Sequence, residues 1–176
     1  MSGNRYHIIR RTPLLFLAII ITWLFSGCGV YSFTGASIPP EAKTISVQYF
    51  PNKAQLVDPI LSAIFTDALR DQFTRQTNLE MVERNGDLAI EGEIIDYRTT
   101  PVAIQGDQTS ALNRLTITVN VRFVNVYEPN KDFEQKFTHY MDYQSDANYN
   151  AVKEELILGI TEMLTTDIFN KAVINW

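Results

Sequence analysis

The sequence predicts an α+β two-layer sandwich, with two helices packed on one face of a mostly antiparallel four- to five-stranded sheet. Three observations predict it. Segments 58–75 and 149–168 repeat apolar residues at three- and four-residue spacing, the period of an amphipathic helix. Between them the chain alternates apolar and polar residues with period two, most strongly in "RLTITVNVRFVNVY" at 114–127. The order is strand, helix, several strands, helix, so the later strands have no helices between them and connect through turns as antiparallel neighbours.

The first 27 residues stand apart from this domain. Arg5, Arg10 and Arg11 give a basic start, and Leu14 to Phe25 is apolar except for Thr22. About a dozen apolar residues are too few to span a bilayer, which takes roughly 20. A basic segment, a short apolar run and small residues ahead of a cut site describe a secretory signal peptide. Ser26-Gly27-Cys28 resembles the bacterial lipobox, in which the cysteine thiol is acylated and becomes the mature N-terminus. Phe25 stands where that motif usually has Leu and keeps the position apolar. Cys28 is the sole cysteine of the chain and the expected lipidation site. More than one acyl chain is needed for stable anchoring. Gly29, rather than an acidic residue, follows Cys28 and favours sorting to the outer membrane.

Residues 28–42 read as a tether, with Gly29, Gly35 and Pro39-Pro40, and 43–176 as a single domain. Lys43 to Phe50 alternates Ile45, Val47 and Tyr49 with polar partners and reads as a first strand. Asp58 and Pro59 suit a helix N-cap and first helical position. The helix they open presents Ile60, Leu61, Ile64, Phe65, Ala68, Leu69 and Phe73 on one side. Leu79 to Val82 is a short strand. Asn85-Gly86 reads as a hairpin turn into "DLAIEGEIIDY". Segment 99–113, with Pro101 and Gly106, forms the end of a long hairpin. Glu128-Pro129-Asn130-Lys131 turns the chain into the last strand, "DFEQKFTHYMDY". The final helix carries a stripe of Val152, Leu156, Ile160, Met163, Leu164 and Ile168.

Two helices cover one sheet face, so the other face should be open. Its expected residues are Glu91, Glu93, Arg114, Thr116, Thr118, Asn120, Arg122, Glu134, Lys136 and Thr138. Both charge signs interleave there, which suits water or a wet protein partner and not hydrocarbon. The domain is therefore expected to stay outside the bilayer, with only the lipid anchor inside it.

Charge and composition exclude several classes. The chain carries 15 basic and 20 acidic residues, three of the basic ones in the signal. The mature net charge of −8 makes a poor binder of nucleic acid. Once Cys28 is acylated, no disulfide or thiolate metal site remains. His139 is the one histidine beyond the signal, and no Gly-x-Ser-x-Gly elbow accompanies it. Glu91 and Glu93 lie two apart on a solvated face, the setting of an exposed charge pair and not of a catalytic acid. No phosphate loop, dinucleotide fingerprint or metal spacing appears, so no cofactor and no enzyme activity are expected.

The run Cys28-Gly29-Val30-Tyr31-Ser32-Phe33-Thr34-Gly35, a proline-bearing tether and Lys43-Thr44-Ile45-Ser46-Val47 before a helix together resemble the LptE family of lipopolysaccharide-assembly lipoproteins. Ala89-Ile90-Glu91-Gly92-Glu93-Ile94 and Leu115-Thr116-Ile117-Thr118-Val119-Asn120-Val121 continue the likeness, which extends to "DIFNKAVINW" at the end. The resemblance implies a protein anchored at the periplasmic face of the outer membrane. It implies a plug inside an LptD-type β-barrel that helps insert lipopolysaccharide into the outer leaflet, and contact with lipopolysaccharide itself. Arg98, Arg114 and Arg122 are this chain's cationic candidates for lipopolysaccharide or partner contact, since guanidinium pairs phosphate bidentately. The alternative is that they balance Glu91, Glu93 and Glu134 across strands. Two other functions compete: a lipid-anchored adaptor or activator of a cell-envelope synthase, and an envelope hydrolase. The hydrolase would need a buried carboxylate pair or a nucleophile, which the pattern lacks.

Substitution Cys28→Ala is expected to abolish fatty-acid incorporation into the chain. Metabolic labelling with a fatty-acid analogue and mass measurement of the N-terminal peptide check it.

Overall fold

The computed structural model of the chain describes residues 38–102 and 111–174. The signal segment, Cys28, most of the tether, the hairpin tip at 103–110 and the last two residues lie outside the described residues. Strands β1 (Thr44–Val47), β2 (Glu80–Val82), β3 (Leu88–Val102), β4 (Leu112–Asn125) and β5 (Phe133–Gln144) form one sheet in the order β2-β1-β3-β4-β5. Helices α1 (Leu61–Gln76) and α2 (Tyr149–Val173) cover one of its faces. The α+β sandwich expected from the sequence is the observed fold, with five strands.

The sheet is mixed. β1 pairs parallel with both β2 and β3, while β3-β4 and β4-β5 are antiparallel. The hairpin expected at Asn85-Gly86 is absent, because β1 lies between β2 and β3. The turn chemistry is still used: Asn85 has φ +54°, and the tight loop brings Asp87 back beside β1. Asp87 Oδ2 accepts from the Lys43 and Thr44 backbone N–H groups at 2.8 and 2.9 Å, and from the Thr44 hydroxyl at 2.9 Å. Helix α1 begins at Leu61, two residues later than Pro59 suggested. Asp58 instead caps the preceding turn, accepting from Ile60 N–H at 3.1 Å, and pairs with Lys153 Nζ at 2.7 Å.

The core follows from the two periodicities. Leu61, Phe65, Leu69 and Phe73 recur every four residues along α1 and are wholly buried. On α2, Leu156, Ile157, Ile160, Leu164, Ile168, Phe169, Ala172 and Val173 are buried, so the C-terminal segment docks in the core. Phe73 meets Phe169 edge-on at 5.0 Å, joining the helices, and Phe50 meets Phe65 in the same way. Each such buried side chain stabilises the fold by roughly 1.5–3 kcal/mol. Two polar contacts fix α1 against β1 and the residues just after it. Thr66 Oγ1 accepts from Phe50 N–H at 3.1 Å, and the Arg70 guanidinium donates to the Val47 carbonyl.

A register shift between Ile94 and Asp96 decides which face each β3 residue serves. Ile94 pairs with Val119 and Asp96 with Thr118, so Ile95 is an extra residue. Before the bulge, Leu88, Ile90 and Ile94 face the helices; after it, Tyr97 does. Without the bulge Asp96 and Arg98 would point into the core and Tyr97 out. Tyr97 is buried, with its hydroxyl 2.5 Å from that of Tyr149, and burial pushes its pKa above the usual tyrosine range.

Gly92 sits where β3 and β4 approach closely over the Phe50 ring. A Cβ there would lie 2.6 Å from the ring and would run into the Asn120 carbonyl. Gly92→Ala is expected to destabilise the domain by about 1–3 kcal/mol through overpacking. A lower denaturant midpoint with an unchanged slope would show it.

Candidate functional site

The open face is built by alternation along three long strands. Its central rows, read across β3, β4 and β5 between the end rows Ala89–Val124 and Val102–Leu112–Gln144, are first Glu91, Arg122 and Glu134 and then Glu93, Asn120 and Lys136. Asp96, Thr118 and Thr138 follow, then Arg98, Thr116 and Tyr140, and finally Thr100, Arg114 and Asp142. Every one of these side chains is polar, as the sequence implied. They are not all wet: Thr116 is 6% and Thr118 9% exposed, shielded by neighbours of the same face. The hydroxyls of Thr118 and Thr138 bond each other at 2.9 Å across strands.

The three arginines lie on this face but do not converge. Arg98 and Arg114 occupy adjacent rows near the hairpin end. Arg122 is eight residues from Arg114 on the same strand, roughly 27 Å away at 3.4 Å per residue. Each guanidinium meets a carboxylate. Arg122 Nη1 reaches Glu91 Oε1 at 2.7 Å, and Arg98 pairs with Asp96. Arg114 binds Asp142 bidentately at 2.7 and 2.9 Å and lies 3.7 Å from the Tyr140 ring centroid. Exposed pairs of this kind stabilise little. They do cancel charge and hold long side chains flat on the sheet.

Sequence reasoning named Glu91 as a balancing partner and missed Asp96 and Asp142. Asp142 is opposite Arg114 only because of the β4-β5 register, which depends on the length of the turn at Pro129–Lys131. The Asp142 carboxyl is held below the usual range by its hydrogen bonds to Arg114, and Arg114 is raised in turn. Asp87 is also lowered, chiefly by the Lys43 backbone N–H.

A shallow recess of about 440 Å³ opens at the Arg122 end, between Tyr49, Gln48, Glu93, Asn120, Arg122 and Glu134. Asn120 Nδ2 donates to Glu134 Oε1 at 2.9 Å, and Tyr49 is 56% exposed. Planar polar groups and an aromatic edge here can hold a polar ligand or a partner's side chains. Nothing in the recess pairs a nucleophile with a base. His139 sits on the helix side of β5, with Nε2 2.7 Å from Asp167 Oδ2, and joins the strand to α2. No grouping of three or more histidine, cysteine or carboxylate side chains suited to a metal occurs among the described residues.

A helix-covered sheet with a polar, ion-paired outer face defines a small α+β interaction module. The family model for lipopolysaccharide assembly, LptE, matches residues 42–172, and the chain belongs to that family. It is a lipopolysaccharide-assembly lipoprotein, and the family is not enzymatic. Among solved structures, a minor lipoprotein from Acinetobacter baumannii is 14% identical, with TM-score 0.50, covering 74% of this chain and 91% of its own. The hypothetical protein CT253 from Chlamydia trachomatis is 11% identical, with TM-score 0.52, covering 76% and 99%. At these identities the likeness is one of fold. No curated protein matches the chain significantly.

The lowered pKa of Asp142 gives a pH prediction. Its contribution is present above the unfolded carboxylate pKa, near 4, and is lost as pH falls through the folded value. Asp142→Asn should therefore lower the thermal midpoint at pH 7 by more than at pH 3. Melting curves at the two pH values check the narrowing gap.

Proposed function

We propose that the chain is a lipid-moored subunit of the lipopolysaccharide translocon. Acylated Cys28 holds it at the periplasmic side of the outer membrane. The domain plugs an LptD-type β-barrel, where it assists insertion of lipopolysaccharide into the outer leaflet. Family membership supports this reading. The observation that carries it is the open face, polar across its five central rows, since the lumen of a membrane barrel is polar while its outside is not. No described helix is long and apolar enough to cross a membrane, in keeping with an anchor as the only hydrocarbon contact. Leu56, Val57 and Ile60 stand exposed together on the loop before α1, an apolar tip suited to a protein partner.

Of the three arginines, Arg122 is the best placed to meet a phosphate of lipopolysaccharide. One of its donors is committed to Glu91, and its side chain is 58% exposed beside the recess. Arg114 has two donors fixed on Asp142 and a face against Tyr140. Arg98 pairs with Asp96 and flanks the hairpin end.

Affinity purification of the tagged chain from detergent-solubilised membranes tests the proposal. A large β-barrel should co-elute in near-equal amount, and Arg122→Glu should reduce co-eluting lipopolysaccharide several-fold while the barrel remains bound. Recovery of a soluble synthase in place of a barrel overturns the plug reading.

A further inference from the structure

β5 is an edge strand of twelve residues, and among the described residues no strand pairs with its outer side. Antiparallel ladders alternate, each residue bonding to one side only. The Ser145 N–H donates to the Ala111 carbonyl at 3.0 Å, which sets the phase. Odd-numbered residues of β5 therefore bond to β4. Glu134, Lys136, Thr138, Tyr140, Asp142 and Gln144 turn their backbone N–H and C=O groups outward. All six side chains are exposed. A free edge this long is a template for another strand.

Residue chemistry selects the occupant. When the edge is laid antiparallel on a second copy of itself, with residue 139 at the two-fold axis, all six outward residues find partners. Lys136 then faces Asp142, Thr138 faces Tyr140, and Glu134 faces Gln144, each pair made twice by the symmetry. Within the strand no like charges oppose. On the helix side, Phe137 comes opposite Met141, an apolar sulfur–aromatic contact. Shifting the axis to residue 138 sets Glu134 against Asp142. Shifting it to residue 137 sets Asp132 against Asp142, and shifting it to residue 140 sets Glu134 against Asp146. Only the register centred on His139 pairs all six outward residues with one another, and its one like-charge contact, Asp132 with Asp146, lies beyond the ends of the strand. Asp142, already held ionised by Arg114, keeps its charge for the approaching lysine at neutral pH.

We propose that the free edge of β5 is a self-recognition surface, through which two copies of this chain join into a continuous ten-stranded sheet about an axis at His139. This goes beyond the barrel-bound role and concerns the chain when it is not in a barrel.

The test is disulfide trapping of the full-length chain in detergent. Residues at the axis form a non-hydrogen-bonded pair with Cα atoms about 4.5 Å apart, within disulfide reach. Under mild oxidation His139→Cys should give a dimer of doubled mass on a non-reducing gel. The parent chain, whose one cysteine is Cys28, sets the background. Gln135→Cys, which faces Tyr143 in this register, should stay at that background. Adding Thr138→Pro to His139→Cys should abolish the dimer, since it removes an N–H that is free in the monomer. Adding Lys136→Asp instead sets like charges opposite each other and should cut the yield several-fold, which decides the matter should the proline variant misfold. No dimer above background for His139→Cys, equal trapping at 135, or a yield indifferent to Lys136→Asp in a folded variant would overturn the proposal.

Discussion

The antiparallel pairing of β3 with β4 is the constraint on which the rest of the structure depends. Fourteen matched positions run from Leu88 and Asn125 to Val102 and Leu112. Each match fixes one residue toward the helices or away from them. The bulge at Ile95 interrupts this ladder once, at the level where Asn52 bridges to Ile94 and the extended chain after β1 ends its pairing. One extra residue there keeps Ile94 and Tyr97 both inside. It also sends Asp96 and Arg98 out together, where they neutralise each other.

Both ends of this frame are tied by carboxylates that serve the backbone. Asp87 gathers the start of β1 to the start of β3 through three hydrogen bonds. Asp58, 8% exposed, satisfies the turn ahead of α1 and reaches Lys153 on α2. A nearly buried carboxylate would cost several kcal/mol if left alone, so the ion pair and the N–H bond together make its burial tolerable. Between these ends the Phe73–Phe169 contact locks the two helices side by side.

The open face owes its character to the same ladder. Alternation sends most large apolar groups to the helix side, so between the end rows Ala89–Val124 and Val102–Leu112 the open face is made of threonines, amides and paired charges. Pairing each guanidinium with a carboxylate leaves the surface nearly neutral locally, although the whole chain is acidic. Such a surface is compatible with a wet protein lumen and repels neither sign strongly. Among the described residues, unpaired backbone groups remain along β5 and, more briefly, along the three-residue β2. Of these two edges only β5 is long enough to guide another strand.

The sequence by itself determined the class of fold, both helices and most of the core, because periods of 3.6 and 2 are local properties that burial on one face imposes directly. Leu61, Phe65, Leu69 and Phe73, or Leu115, Ile117, Val119, Val121 and Phe123, could be read without knowing their neighbours. It also placed Arg114 and Arg122 on the polar face by parity alone. Tertiary structure decided what depends on partners distant in the chain: the parallel insertion of β1 between β2 and β3, which displaced the hairpin that Asn85-Gly86 suggested, and the bulge that returns Tyr97 to the core. It also chose Asp142 over nearer carboxylates as the partner of Arg114. Register and strand order arise from competition among whole pairings, and no window of local sequence contains the energies being compared.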